Sequence, residues 1–178
     1  MKRWISRILL RLWGWKIKGA VPTHLRKYII VVIPHTSNWD FPLGLLVRSA
    51  AGLNVKFAAK DSLFRFPYGW LFRALGGYPV VRSRSTNFVE AVADIFKRKE
   101  EFCVCIAPEG TRSRVEQLKT GFYYMARAAE VPIVMVRFDY GPKEVTFAEP
   151  ISADQPYEQV LEKMHAFFAP AEGKVPEN

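Results

Sequence analysis

An α/β sandwich, with a largely parallel central sheet flanked by helices, is the fold this sequence predicts. Three observations carry it. Short runs of strand length, apolar almost throughout, recur at 27–34, 101–108 and 132–140, and such runs belong to strands covered on both faces. Segments with apolar residues at helical spacing stand between them, an alternation that builds parallel sheets. The chain has 178 residues, enough for one domain with a proper core and short for two.

The elements follow in order. Residues 3–17, RWISRILLRLWGWKI, predict a helix, with Trp4, Ile5, Ile8, Leu9, Leu12 and Trp13 at helical spacing. Arg3, Arg7 and Arg11 stripe another face at four-residue steps. Gly19 to Pro22 end it. A basic amphipathic helix with tryptophans suits a membrane interface; the same pattern also fits a helix packed on its own domain with solvated arginines. The chain thus divides into this helix, 1–19, and one domain, 20–178.

KYIIVVIP (27–34) predicts a central strand, and DFPLGLLVRSAAG (40–52) a helix with Pro42 in its first turn. VKFAAK (55–60) is a strand, 62–77 short helical turns rich in aromatics, and YPVV (78–81) a short strand. NFVEAVADIFKRK (87–99) is an amphipathic helix with Asn87 as cap and Glu90 three residues on. EFCVCIAP (101–108) is a buried strand, 120–130 a helix, and 132–140 and 143–151 strands joined at Gly141-Pro142 as an antiparallel hairpin. Residues 157–169 form a closing helix.

Composition narrows the function classes. With 49% apolar and 24% charged residues, the chain is a folded protein. Aromatics at 14% need a core, a lipid surface or a ligand groove. The net charge is +9, and residues 1–18 supply +6 of it with no acid, so the charge is local and directed at an anionic surface, lipid or nucleic acid. No apolar run reaches the roughly 18–20 residues of a membrane span, and no cleavage site follows the N-terminal apolar stretch. Cys103 and Cys105 share one face of a strand as core thiols. No Cys or His set stands at metal-ligand spacing.

In sheets of this kind ligands bind at the carboxyl ends of strands, which directs attention to 34–40, 82–85 and 108–114. His35 follows the first buried strand directly, with Asp40 five residues on. On one continuous helix the two would point about 140° apart. Thr36, Ser37 and Asn38 form turns and caps, so a strand–turn–helix corner could bring Asp40 to one ring nitrogen of His35. The other nitrogen would then serve as a general base. Spacing alone leaves open that Asp40 only caps the helix and that His35 bonds a backbone carbonyl. No Gly-x-Ser-x-Gly elbow accompanies the pair, so it has no evident serine nucleophile within the protein, and the hydroxyl to be activated could belong to the substrate. The loop Pro108-Glu109-Gly110-Thr111-Arg112-Ser113 carries a glycine for close backbone approach and arginine for phosphate; an ordinary polar turn with an internal Glu–Arg pair fits it equally. Arg82 and Arg84 follow a short strand, and Lys60 closes another; each fits a phosphate contact or a solvated basic edge.

Together these pieces resemble the glycerolipid acyltransferase family, whose best-known members are 1-acyl-glycerol-3-phosphate acyltransferases. The family's His-x4-Asp motif is matched by His35, Ser37 and Asp40, its Gly-x4-Arg motif by Gly77 to Arg82, its Pro-Glu-Gly-Thr-Arg-Ser motif by Pro108 to Ser113, and its Val-Pro-Ile-Val segment by Val131 to Val134. The four stand in family order over about 100 residues, and the third is the most specific. Pro34, Ala107 and Met135 depart from residues frequent in the family.

The resemblance implies an O-acyltransferase of phospholipid biosynthesis. His35 would take the proton of an acceptor hydroxyl, and Asp40 would orient His35. Arg82, Glu109, Gly110, Thr111 and Arg112 would hold the phosphate of a lysophospholipid such as 1-acyl-glycerol-3-phosphate. Acyl-CoA or acyl carrier protein would donate the acyl group as co-substrate, with no further cofactor and no metal. The helix over 3–17 would hold the protein at the membrane surface, peripherally and on the cytoplasmic face. Other lipid or small-alcohol acceptors, or non-catalytic binding of anionic lipid, are the competing functions. No nucleic-acid motif is present, and tryptophans among the N-terminal bases favour lipid.

Overall fold

Alternation along the central strands decides the layers. In the computed structural model, which describes residues 2–80, 85–113 and 115–175, the runs Lys27–Ile33 (β2) and Ile133–Asp139 (β6) lie side by side and parallel at the middle of a seven-stranded sheet. Ile29, Val31, Ile133 and Met135 face one layer, while Tyr28, Ile30, Val134, Val136 and Phe138 face the other. Because both faces are apolar, both must be covered. The helices Ser85–Arg98 (α4), Gly121–Ala128 (α5) and Tyr157–Phe168 (α6) cover the first through Phe96, Phe122, Val160 and Met164. Asp40–Ala51 (α2) covers the second through Leu43 and Val47.

The other strands are Lys16–Gly19 (β1), Val55–Lys60 (β3), Gly77–Val80 (β4), Phe102–Ile106 (β5) and Glu144–Phe147 (β7). They stand in the order β1-β7-β6-β2-β5-β3-β4, and among the described residues β6–β7 is the one antiparallel pair of these strands. The short helix Gly69–Ala74 (α3) and a 3-10 turn at Asp61–Phe64 occupy the aromatic stretch read as helical turns.

Three expectations need correction. The helix predicted over 3–17 ends at Leu12 (α1, Arg3–Leu12), and Gly14, at φ 84°, turns the chain so that Lys16–Gly19 can join the sheet beside β7. The apolar period ran on through Trp13, Trp15 and Ile17, which serve a turn and a strand instead. Helix α4 begins at Ser85, so Asn87 lies within it and is not its cap. The strand predicted over 143–151 is confined to Glu144–Phe147, with one bridge from Ile151 to Ile133.

Helix α1 packs antiparallel on α2. Ser6 donates to or accepts from Ser49 at 2.7 Å, Leu10 is buried, and Arg3 and Arg7 donate to the carbonyls of Ala50 and Ala51. Those carbonyls end α2, where the helix dipole is negative and unpaired acceptors favour cations. Two arginines of the basic stripe therefore bind the protein itself. Trp4, Ile8 and Leu12, the last 81% exposed, point away from the domain.

Candidate active site

The strand register creates the site. In β2 and β5, Val31 pairs with Ile106, so the loops that follow, 34–39 and 107–113, leave the sheet side by side. His35 and Glu109, 74 positions apart, meet there: the His35 backbone N–H donates to Glu109 Oε2 at 2.9 Å. Arg112 reaches the same corner and donates to Asn38 Oδ1.

The corner has the strand–turn–helix form expected from Thr36, Ser37 and Asn38. The Ser37 hydroxyl accepts from Trp39 N–H, and Asp40 opens α2. Asp40 Oδ2 accepts from the Ser37 backbone N–H at 2.9 Å and faces His35 Nδ1 at 3.0 Å. The five-residue spacing thus brings the pair together by a turn, as a continuous helix could not. Asp40 is buried and also lies at a helix N-terminus, where a carboxylate is favoured. Burial pushes its carboxyl up, but hydrogen bonds from His35, Tyr140 and Ser37 outweigh that and hold it below the usual aspartate value. An ionised Asp40 fixes the tautomer with hydrogen on Nδ1, leaving Nε2 with its lone pair. The His35 side chain is 32% exposed, so the corner opens to reactants.

Glu109 is half-buried. Desolvation raises its pKa, partly offset by the His35 N–H. Its carboxylate is committed to the corner. Gly110 holds φ at 67°, a conformation side chains disfavour, and the Lys119 side chain lies against it where a Cβ would stand. The Lys119 backbone N–H donates to Pro108 O at 2.9 Å. Gly110, Thr111 and Arg112 are exposed beside the corner. Arg82 lies outside the described residues, as do Arg84, Arg114 and the side chain of Lys60.

A cavity of about 250 Å³ opens at His35 and Asp40 and runs between α2 and the sheet, with Phe41, Leu45, Val136, Phe138 and Cys105 among its walls. Its lining is mostly apolar. Cys103 and Cys105 are free thiols and pack on this same side of the sheet; burial pushes Cys105 up to about 12. Among the described residues no group of three or more His, Cys, Asp or Glu stands ready to hold a metal.

Two participants escaped the sequence reading. Lys119, whose side chain lies against Gly110, stands outside the motifs that mark the loop. Tyr140, at the end of β6, donates its phenol hydrogen to Asp40 Oδ1 at 2.6 Å. Strand alternation was the available signal: Val136 and Phe138 face α2, so residue 140 lies next on that side.

Comparison with known proteins bears on the family and the fold. The acyltransferase family model matches residues 16–139. A 1-acyl-sn-glycerol-3-phosphate acyltransferase of Escherichia coli is 30% identical over 136 residues, 72% of this chain and 54% of that protein. The human 1-acyl-sn-glycerol-3-phosphate acyltransferase beta is 31% identical over 140 residues, 75% of this chain and 50% of that protein. The chain therefore spans about half the length of these relatives. The crystal structure of the 1-acyl-sn-glycerophosphate acyltransferase from Thermotoga maritima superposes with a TM-score of 0.62 at 19% identity, over 94% of this chain and 75% of that one, a likeness of fold.

Proposed function

This chain belongs to the acyltransferase family, and from that premise we propose that it moves a fatty acyl group from an acyl thioester to a hydroxyl of a lysophospholipid such as 1-acyl-glycerol-3-phosphate. The observation that carries the reading is His35, held at Nδ1 by a buried carboxylate, at the mouth of an apolar cavity and beside an arginine-bearing loop.

The acyl chain lies in the cavity under α2, with its thioester carbonyl at His35. Nε2 of His35 takes the acceptor's hydroxyl proton as that oxygen bonds to the carbonyl carbon. Asp40 stabilises the imidazolium that forms. The tetrahedral adduct collapses, the carbon–sulfur bond breaks, and the proton passes from Nε2 to the thiolate of coenzyme A or acyl carrier protein. General-base catalysis of this kind supplies about 10²–10⁴-fold. Gly110, Thr111 and Arg112, with Lys119 and Arg82, receive the acceptor's phosphate, since arginine grips phosphate through paired hydrogen bonds. Glu109 acts at the corner, fixing the His35 backbone.

The acceptor resides in a bilayer, and the protein meets it as a peripheral membrane protein. Among the described residues no helix is long and apolar enough to cross a membrane. The contact is the outward stripe of α1, Trp4, Ile8 and Leu12, with Lys2 and Arg11 exposed beside it, a pattern suited to anionic headgroups. The free thiols fit the reducing cytoplasmic side.

Purified protein is incubated with a labelled acyl thioester and either 1-acyl-glycerol-3-phosphate or an uncharged monoacylglycerol, and products are read by mass spectrometry. Phosphatidic acid as the main product supports the reading. Free fatty acid alone identifies a thioester hydrolase, and preference for the uncharged acceptor removes the phosphate role of the Gly110–Arg112 loop.

A further inference from the structure

Asp40 has two oxygens and three hydrogen-bonding neighbours. Oδ2 serves His35 and the Ser37 N–H, whereas Oδ1 accepts from Tyr140 at 2.6 Å. That length lies in the range of charge-assisted O–H···O⁻ bonds. The carboxylate is buried, so an Oδ1 without Tyr140 would bear the cost of an unsatisfied acceptor. The terminal torsion of aspartate is soft and roughly two-fold, so nothing in the side chain itself keeps Oδ2 turned to His35.

Tyr140 is fixed at each end. Its backbone N–H donates to Glu172 O at 2.9 Å, and Glu172 N–H donates in turn to Asp139 Oδ1. Its ring meets the buried Trp15 edge-on at 4.8 Å, and Trp15 meets Trp13, which meets Trp39 beside the site. The family match ends at residue 139, one position short of this tyrosine.

We propose that Tyr140 is a positioning residue of the acyl-transfer site, whose O–H···Oδ1 bond locks the Asp40 carboxylate with Oδ2 toward His35 Nδ1. This rests on the proposed role of His35 as general base. It makes the site a His35–Asp40–Tyr140 chain, the last member supplied 100 residues beyond Asp40. Around it, Glu109 holds the His35 backbone, Ser37 N–H the other side of Asp40, and Arg112 the Asn38 amide.

Tyr140→Phe tests it, because phenylalanine keeps the ring on Trp15 and deletes only the hydroxyl. In the full chain the expected result is a kcat about tenfold lower, the scale set by one hydrogen bond to a charged group, with KM for donor and acceptor unchanged. With that bond gone the Asp40 carboxylate turns more freely and holds the imidazolium less well, so the acid limb of kcat/KM moves to lower pH. The downfield proton resonance of His35 Nδ1–H shifts for the same reason. Wild-type kcat, pH profile and resonance in the variant would overturn the proposal, even if its thermal stability fell. Should the wild-type protein prove to transfer no acyl group, the acyltransferase reading fails while the resonance still decides: a shift sustains the Tyr140–Asp40 coupling, and an unmoved line refutes it.

Discussion

Glu109 and Asp40 are acids that both bond to His35 in one corner, yet their surroundings push them in opposite directions. Asp40 collects hydrogen-bond donors and stays below its usual 3.8; Glu109 is desolvated and rises above 4.5. The signs of their contributions to stability differ accordingly. Asp40 contributes stability that is fully present above 3.8 and is lost as pH falls through its lower folded value. Glu109 favours the folded state most below 4.5, and that contribution is lost as pH rises through its higher folded value. Glu109→Gln keeps an acceptor for the His35 N–H and removes the buried charge. Its melting temperature relative to wild type should therefore rise on going from about pH 4 to about pH 7. A difference that stays flat across that interval would show that Glu109 is not desolvated in the folded protein. Arg112→Ala should raise KM for a phosphate-bearing acceptor by roughly tenfold or more, as loss of a charge-assisted contact of about 1.5–3 kcal/mol implies, and leave KM for the acyl thioester unchanged. Acceptor titrations at saturating donor would show the difference, and an effect on donor KM alone would move Arg112 from the acceptor to the donor.

At the scale of elements, α2 has two duties. Its first residue is Asp40, and its inner face, through Leu43 and Val47, closes the core and walls the cavity. Leu43 is fully buried, and Leu43→Ala should cost about 2–5 kcal/mol, read as a fall in melting temperature; a loss below about 0.5 kcal/mol, the range of surface substitutions, would contradict the packing described. Helix α1 divides its faces differently. Ser6 and Leu10 fasten it to α2, two arginines bind the carbonyls that end α2, and Trp4, Ile8 and Leu12 face outward. Replacing those three by serine should abolish co-sedimentation with anionic vesicles without lowering the melting temperature. Undiminished vesicle binding would move the membrane contact elsewhere, for instance to the exposed Phe66 and Trp70. The sequence made most of this legible. Apolar runs marked β2, β5 and β6, and the Thr36-Ser37-Asn38 turn anticipated the His35–Asp40 contact. It hid the end of α1, because Trp13, Trp15 and Ile17 prolong an apolar period that the left-handed Gly14 interrupts. It also hid Tyr140, because its partner is fixed by sheet order and not by any local spacing.

Across the whole molecule, function follows from which strand ends are neighbours. The order β6-β2-β5 sets three loops side by side, contributing Tyr140, His35 with Asp40, and Glu109 to Arg112. The same central strands supply the apolar floor of the cavity that starts at His35. The His35–Asp40 pair, a mostly apolar cavity and an arginine-bearing loop thus converge at the carboxyl ends of these strands, though they come from segments up to about a hundred residues apart. The C-terminal segment adds a brace: Val175 N–H donates to Thr36 Oγ1, and Lys174 sits over the Trp39 ring at 4.4 Å. Everything proposed for this corner turns on His35 as the base for acyl transfer. Its most direct test is the rate of transfer from a labelled acyl thioester to 1-acyl-glycerol-3-phosphate by wild-type protein and by His35→Ala, with both confirmed folded by circular dichroism. With His35 as the base, the variant should be slower by about 10²–10⁴-fold or more; transfer at the wild-type rate by a folded His35→Ala protein would rule that role out.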